Sequence, residues 1–310
     1  MKVRSARLLD LAAIESVHRE AAARLSGVPP PARLWSVVSQ TLSALLPLSQ
    51  ETLLYLAEKD GNLLGFVQAS GQPLSLSLPA QVTTLQVLNL CVVEAADEEE
   101  VAGVLIDHLG QQAGRRGVRR LFVRIPLEDS LLGSFRSHGF RQYATESVLY
   151  SESTAVNQAP APPGLRAVKG RDQTSLYHLY RKVTPQTVAQ VEAPSYRDWR
   201  ALRAASGRQE LIERNEVVGW CRVLAGDDAR PATISLMALP EPALVEELVD
   251  YTIRQTQARA SWCSVRHYDS VMIGALCGRG FNILLHQSLL VRELMVREPV
   301  PEKRLVPSFG

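Results

Sequence analysis

The sequence predicts an α/β chain made of two similar halves. Three observations carry this. The chain has 310 residues, about twice the length of an ordinary domain. Strand-like and helix-like runs alternate along it, in an order that builds strands joined by crossover helices. The second half also repeats the first, feature by feature.

The repeat is collinear. Arg4-Ser5-Ala6 with Asp10 corresponds to Arg166-Ala167-Val168 with Asp172 at the same spacing. Leu63-Leu64-Gly65-Phe66 corresponds to Val217-Val218-Gly219-Trp220, each after a polar turn. Phe122-Val123-Arg124 matches Ser264-Val265-Arg266. Gly139-Phe140 and Glu146-Ser147-Val148-Leu149 match Gly280-Phe281 and Gln287-Ser288-Leu289-Leu290. Between the copies, SESTAVNQAPAPPG at 151–164 lacks large apolar side chains and reads as a linker. The expected organisation is a first domain at 1–150, this linker, a second domain at 165–298 and a Pro-rich tail at 299–310.

Within each half a short strand (2–6; 165–168) meets a helix with Asp10 or Asp172 at its start, where a carboxylate accepts first-turn amides. A second helical region follows at 32–46 and 196–205. Next comes a hairpin, 52–58 with 63–70 and 210–213 with 217–224. A strand (84–93; 233–239) leads into a helix (101–113; 244–259). A buried strand (120–125; 262–266), a helix and a final strand pair close each half. The Gly of Gly139-Phe140 and Gly280-Phe281 has a physical reason: a helix stop in the left-handed region favours glycine, and the following Phe drops onto the core.

Composition narrows the function classes. Hydrophobic residues make up 46% and charged residues 21% of the chain, which places it among globular rather than disordered proteins. Lys+Arg 34 against Asp+Glu 32 gives a formal charge of +2, so nothing calls for nucleic acid or an anionic membrane. The basic run Arg115-Arg116-Gly117-Val118-Arg119-Arg120 lies at a helix end, where it complements the dipole, and no aromatics are interleaved for base stacking. No stretch approaches the ~18 apolar residues of a membrane span, and Asp10 and Glu15 interrupt the N-terminal apolar residues, unlike an export signal. A cytoplasmic location is expected. Cys91, Cys221, Cys263 and Cys277 are far apart in apolar runs and read as reduced, buried thiols. No metal is expected.

The order of elements resembles the GNAT family of acyl-CoA-dependent N-acyltransferases, in two copies spanning nearly the whole chain. The stretch that carries the resemblance runs from Leu121-Phe-Val-Arg to Gly139-Phe140 and a strand, and again from Val265-Arg266 to Gly280-Phe281. The resemblance implies two tandem GNAT-like domains, each a mixed, mostly antiparallel twisted sheet flanked by helices. It implies transfer of an acyl group from acetyl-CoA or another acyl-CoA to an amine. Such chemistry needs backbone amides at a helix start to hold the diphosphate, a route for the amine proton and a donor for the leaving thiolate.

Several of these positions are altered. Where the family has an Arg/Gln-x-x-Gly-x-Gly loop, the first half has Asp97-Glu98-Glu99-Glu100-Val101-Ala102, and 94–101 contains no glycine. The second half has only Pro240-Glu241-Pro242-Ala243, whose prolines remove amide donors. Where the family carries its acid, counting back from the Gly-Phe gives Phe135 and Leu276; Cys277 beside the latter points ~100° away. Strand 84–93 offers only Gln86 and Asn89, and its counterpart Ser235. His267-Tyr268-Asp269 is the most concentrated polar trio, read either as catalytic or as a surface loop in which Asp269 caps a helix. His138 and His286 lie near other element ends, and Arg33, Arg200 and Arg203 on helices that flank the acceptor cleft in the family.

Two readings follow. In the first, the first half binds acyl-CoA through Leu90, Cys91, Val92 and Val93 on the strand and Ala102 and Gly103 on the helix. An unknown small-molecule or protein amine is acylated there, with water replacing the missing base and acid. In the second, the chain is a catalytically silent ligand-binding or scaffold protein with a possible protein partner.

Overall fold

The computed structural model describes residues 1–24, 52–71, 82–94, 96–152, 160–202, 207–226, 231–257 and 259–295. The expected helix at 32–46, Arg33, Arg203, half of the linker (153–159) and the Pro-rich tail lie outside the described residues. Strand β1 (Lys2–Ser5), helix α1 (Leu11–Arg24), β2 (Thr52–Lys59), β3 (Asn62–Ser70) and β4 (Thr84–Val92) begin the first half. Helix α2 (Glu98–Arg115), β5 (Arg120–Pro126), α3 (Leu131–Ser137) and β6 (Arg141–Ser151) complete it. The second half runs β7 (Leu165–Ala167), α4 (Gln173–Val183), α5 (Gln186–Glu192), α6 (Tyr196–Leu202), β8 (Arg208–Glu213), β9 (Val217–Leu224) and β10 (Ala232–Ala238). It ends with α7 (Pro242–Arg254), β11 (Ser261–Arg266), α8 (Ser270–Cys277) and β12 (Asn282–Glu293). None of the described helices is long and apolar enough to cross a membrane.

The twelve described strands form one sheet, in the order β1-β2-β3-β4-β5-β12-β6-β11-β10-β9-β8-β7. The order is palindromic because each half gives its last strand to the other. β12 pairs with β5 of the first half, Gln287–Glu293 against Pro126–Arg120, and β6 pairs with β11 of the second. β6 and β12 pair with each other at the centre. Each half thus closes with one long strand rather than the expected strand pair.

Successive residues of β2 serve two cores, so the strand reads as a continuous apolar run. Leu53, Tyr55 and Ala57 face α2, while Leu54 and Leu56 face Ile14 and Val17 of α1. The second half repeats this, with Ile212 and Cys221 under α7 and Leu211 and Val217 under α4 and Trp199 of α6. Both helix stops form as the sequence predicts. Gly139 (φ 81°) and Gly280 (φ 85°) sit in the left-handed region, and the Phe140 and Phe281 amides return to the carbonyls of Phe135 and Leu276 at 3.1 and 3.2 Å.

Buried charges lock the seam. Glu146 on β6, its side chain 3% exposed, accepts from Arg266 on β11 at 2.8 Å and from Gln287 on β12. Arg266 also pairs with Glu192 at the end of α5, which accepts from Tyr143 (3.1 Å) and Tyr180 (3.3 Å). Burial works against the Arg266 charge, and Glu192 and Glu146 together outweigh it. Arg120 of β5 donates to the Val191 carbonyl at 2.6 Å and to Asp198 of α6 at 3.2 Å, so helices of the second half are tied to a strand of the first.

The repeated Arg and Asp have a shared purpose that differs from the expected helix cap. Arg4 clamps Asp10 (2.6 Å) and Glu58, and Arg166 clamps Asp172 and Glu213 (2.7 Å each). Asp10 and Asp172 accept backbone amides from three residues earlier, Arg7 and Lys169, instead of first-turn amides of the helix. The Arg166 hydrogen bonds hold the Asp172 carboxyl at about 2, below the ~3.9 of an unfolded chain. This contribution to stability is therefore complete above the unfolded value and is lost as pH falls through the folded one. Asp172→Asn should lower urea stability at pH 7, and the gap from wild type should narrow as pH is taken towards 2. A gap independent of pH would show that the Arg166 pair is not its source.

Candidate functional site

Two places in the sheet are splayed. β4 and β5 run parallel but pair only over Thr84–Val87 and Arg120–Val123, after which the strands part. β10 and β11 likewise pair only at Ala232–Ile234 and Ser261–Cys263. A gap between diverging parallel strands exposes backbone and side chains of both, and helices α2 and α7 begin beside the two gaps.

At the first gap, Leu90 and Val92 pack towards the α2 core, while Cys91 and Val93 face α1. The Val93 amide is used by the Leu64 carbonyl at 2.9 Å. Ala102 is fully buried in the core, and Gly103 lies one residue on, in the second turn of α2. The start of α2 is held by carboxylates. Asp97 Oδ1 accepts the Glu100 amide at 3.0 Å, Glu20 of α1 accepts the Glu94 amide at 2.9 Å, and the Ala96 amide turns back to Val93 at 3.1 Å. Asp129, at the end of β5, has its pKa raised by burial and by the charge of Glu98.

Beside this helix start lies a cavity of about 620 Å³ lined by four carboxylates (Asp97, Glu99, Glu100 and Asp107) and by His108 and His138. His108 stands edge-on to Tyr55 at 4.6 Å, and burial followed by Arg115 lowers its pKa, which favours the neutral ring. His138 fills the groove between α2 and α3. Its Nδ1 lies 2.8 Å from the Ser134 carbonyl, which only accepts, so Nδ1 carries the proton. The ring sits on Gly103: a Cβ there would lie 2.7 Å from Cε1 and 2.8 Å from Nε2. Asp107, in turn, meets Arg292 of β12 at 3.2 Å.

The trio His267-Tyr268-Asp269 follows β11, and its members have separate partners. Asp269 caps α8 by accepting the Met272 amide at 3.2 Å. His267 turns to the seam, with Nδ1 2.9 Å from Thr145 Oγ1 and Nε2 3.0 Å from His286 Nδ1. Tyr268, 40% exposed, hydrogen-bonds Thr184, and burial raises its pKa. Cys277 is exposed at the end of α8, unlike the expected buried thiol, while Cys91, Cys221 and Cys263 are buried. Burial pushes the Cys221 and Cys263 thiols up to about 11 and about 12, away from nucleophilic thiolate. No group of three or more His, Cys, Asp or Glu among the described residues is arranged to hold a metal ion. Sequence reasoning missed the packing of His138 on Gly103; the signal available was a glycine inside a helix opposite a histidine at the end of the next one.

Gly103→Ala should destabilise the chain by about 1–3 kcal/mol, the usual cost of overpacking. Adding His138→Ala should recover most of that loss in urea unfolding. Equal instability of the single and double variants would place another neighbour, not His138, over Gly103.

No family model and no curated protein matches the sequence. Solved structures do match it. The GCN5-related N-acetyltransferase of Sphaerobacter thermophilus is 15% identical with a TM-score of 0.61, over 96% of this chain and 97% of that one. A tandem GNAT protein from the clavulanic acid biosynthesis pathway is 15% identical with a TM-score of 0.58, over 96% of this chain and 99% of that one. At such identity the likeness is one of fold, and the palindromic sheet with its two splayed strand pairs is the GNAT fold carried twice, in tandem.

Proposed function

We propose that this chain is a ligand-binding protein built on an acyltransferase fold, in which the first half no longer receives the diphosphate of an acyl-CoA. The observation that supports this reading is the occupation of the α2 start by the chain's own carboxylates. Asp97 accepts an amide there, Glu20 accepts another in the preceding loop, and the adjoining cavity presents four acidic side chains. A carboxylate ~6 Å from a phosphate charge opposes it by about 0.7 kcal/mol even at the dielectric of water. The three at the helix start, Asp97, Glu99 and Glu100, against the two charges of a diphosphate amount to about 4 kcal/mol before salt screening. That is about half of the ~8 kcal/mol in a micromolar affinity. His138 in the groove beside Gly103 takes further space from a bound cofactor.

A second reading, acyl transfer from acetyl-CoA or another acyl-CoA to an amine, is favoured by the open gap between β4 and β5. In that case backbone near Leu90, Cys91, Val92 and Val93 would polarise the thioester carbonyl, with Ala102 and Gly103 on the facing helix. Attack by the amine would proceed with water as its proton acceptor, since Phe135 and Leu276 stand where an acid is needed. Losing a positioned acid or base lowers rate by ~10²–10⁴.

Titration calorimetry of the whole chain with acetyl-CoA and with free CoA separates the two. No heat of binding up to millimolar ligand is expected. Micromolar binding at one site per chain would overturn the ligand-binding reading in favour of acyl transfer.

A further inference from the structure

The face of the second half's sheet that carries α4 is incompletely covered. Trp220 and Arg222 of β9, Ser235 and Met237 of β10 and Trp262 of β11 share this face by register, and each is only partly buried. Arg222 stands directly opposite Ser235, and its Nη2 donates to Ser235 Oγ at 2.9 Å. Its Nε is enclosed and has no hydrogen-bond partner among the described residues, and the same holds for Nε1 of Trp262. Ser235 is the first residue of β10 beyond the pairing with β11, so these donors gather at the apex of the second splayed gap.

No carboxylate lies against Arg222 among the described residues, and burial alone acts on its charge, lowering its pKa. An arginine stays protonated under such conditions. A guanidinium withdrawn from water without a counter-charge costs several kcal/mol. Arg4, Arg166, Arg266 and Arg279 each have a carboxylate partner, whereas Arg254, like Arg222, encloses guanidinium nitrogens with no partner among the described residues and lies over the Tyr251 ring. The duplication sharpens the contrast. Counting from Gly65 and Gly219, the first half places Gln68 where the second places Arg222, and there Asn89 donates to Gln68 Oε1 at 2.7 Å. One half thus has a neutral amide pair, in which Gln68 Nε2 is also enclosed without a partner among the described residues, and the other a cation, a hydroxyl and an indole N–H, so the halves differ in charge rather than in unmet donors.

We propose that Arg222, Ser235 and Trp262 form a receptor for the carboxylate or phosphate group of a small organic anion, at the apex of the gap between β10 and β11. This deepens the ligand-binding reading and rests on it. The guanidinium supplies charge, Ser235 directs the fork while keeping its own proton to donate, and a small side-chain shift that admits the anion brings the enclosed Arg222 Nε and Trp262 Nε1 into reach. The partly exposed indoles supply an apolar wall on the same face.

The test uses the full chain in a buffer poor in small carboxylate and phosphate anions, with benzoate and phenyl phosphate as probes and benzamide as the neutral counterpart. Tryptophan fluorescence titration and thermal melting are read together, since a ligand bound to the folded state raises Tm. Saturable binding of benzoate or phenyl phosphate, without binding of benzamide, is expected, and whichever anion raises Tm more identifies the headgroup. Arg222→Met and Arg222→Gln should each weaken binding at least tenfold and melt, without ligand, at or above the wild-type temperature. Absence of saturable binding, equal binding of benzamide, or unchanged affinity in both variants overturns the site. Variants that bind nothing but melt well below wild type would make Arg222 a structural residue and overturn it equally. Acetyl-CoA binding that persists in Arg222→Met would remove the ligand-binding reading of the first half, while the benzoate and phenyl phosphate arms would still report on Arg222.

Discussion

The antiparallel pairing of β6 with β12 is the constraint on which the rest of the molecule depends. Each of these strands is the last element of its half, and each has its outer neighbour in the other half. Without β12, β5 would end the first half's sheet as an unpaired edge, and without β6 the same would befall β11. Pairing at the centre also fixes register, because a slip of one residue turns every side chain to the opposite face. Glu146 gives that register an electrostatic penalty for error: it is buried, and only the observed alignment places Arg266 and Gln287 on either side of it. Removing one partner from such a buried set costs about 3–5 kcal/mol, chiefly through the charge left behind. The two halves therefore share one sheet and one set of buried charges, and their splayed gaps are held at a fixed distance on either side of the seam.

Within that frame the halves have kept the same scaffold devices and parted in their polar ones. The Arg–Asp–Glu clamp at the first strand occurs twice, and so does the glycine that ends the helix before the final strand. These devices act on backbone shape and are indifferent to what a gap binds. The helix starts have diverged instead. α2 begins with Asp97 and three glutamates, whereas α7 begins with Pro242 after Glu241, with no side-chain cap. Acidic residues at a helix start stabilise the helix by about 0.3–1 kcal/mol each when exposed. The same charges that favour α2 thus oppose any anion brought to its amides.

The repeat, the strand and helix order and the helix stops were legible because each rests on local rules. Alternating or continuous apolar runs mark strands, and Gly139 and Gly280 mark the only backbone conformation that lets the chain turn there. Strand exchange was not legible, since the apolar run Leu289-Leu290-Val291 states that β12 is buried but not beside which strand. Helix α5 escaped because seven residues between Pro185 and Pro194 are too few to display a period. His267, Tyr268 and Asp269 are adjacent in sequence, yet on a turn adjacent side chains diverge, and each found a different partner. The clustered acids at 97–100 were readable as an obstacle to phosphate. Arg222 carried no motif, and only its alignment with Gln68 distinguishes it from any other strand arginine.

The two gaps consequently differ in the sign of the charge they present. Near the first, Asp97, Glu99, Glu100 and Asp107 line a cavity along α2, and Glu98 acts on the charge of Asp129, which follows β5. At the second, the Arg222 guanidinium of β9 reaches Ser235 at the edge of the gap, with an indole donor on the same face and no carboxylate against it among the described residues. In a fold whose helix starts and diverging strands both attract anions by their backbone dipoles, the first half has cancelled that attraction with side chains. The second half has lost the helix amides to proline and replaced them with a side-chain cation one strand away. On the proposed reading, selectivity between ligands rests on side-chain charge at each gap rather than on a backbone cradle common to both, so that one sheet would hold two sites that do not compete for the same molecule.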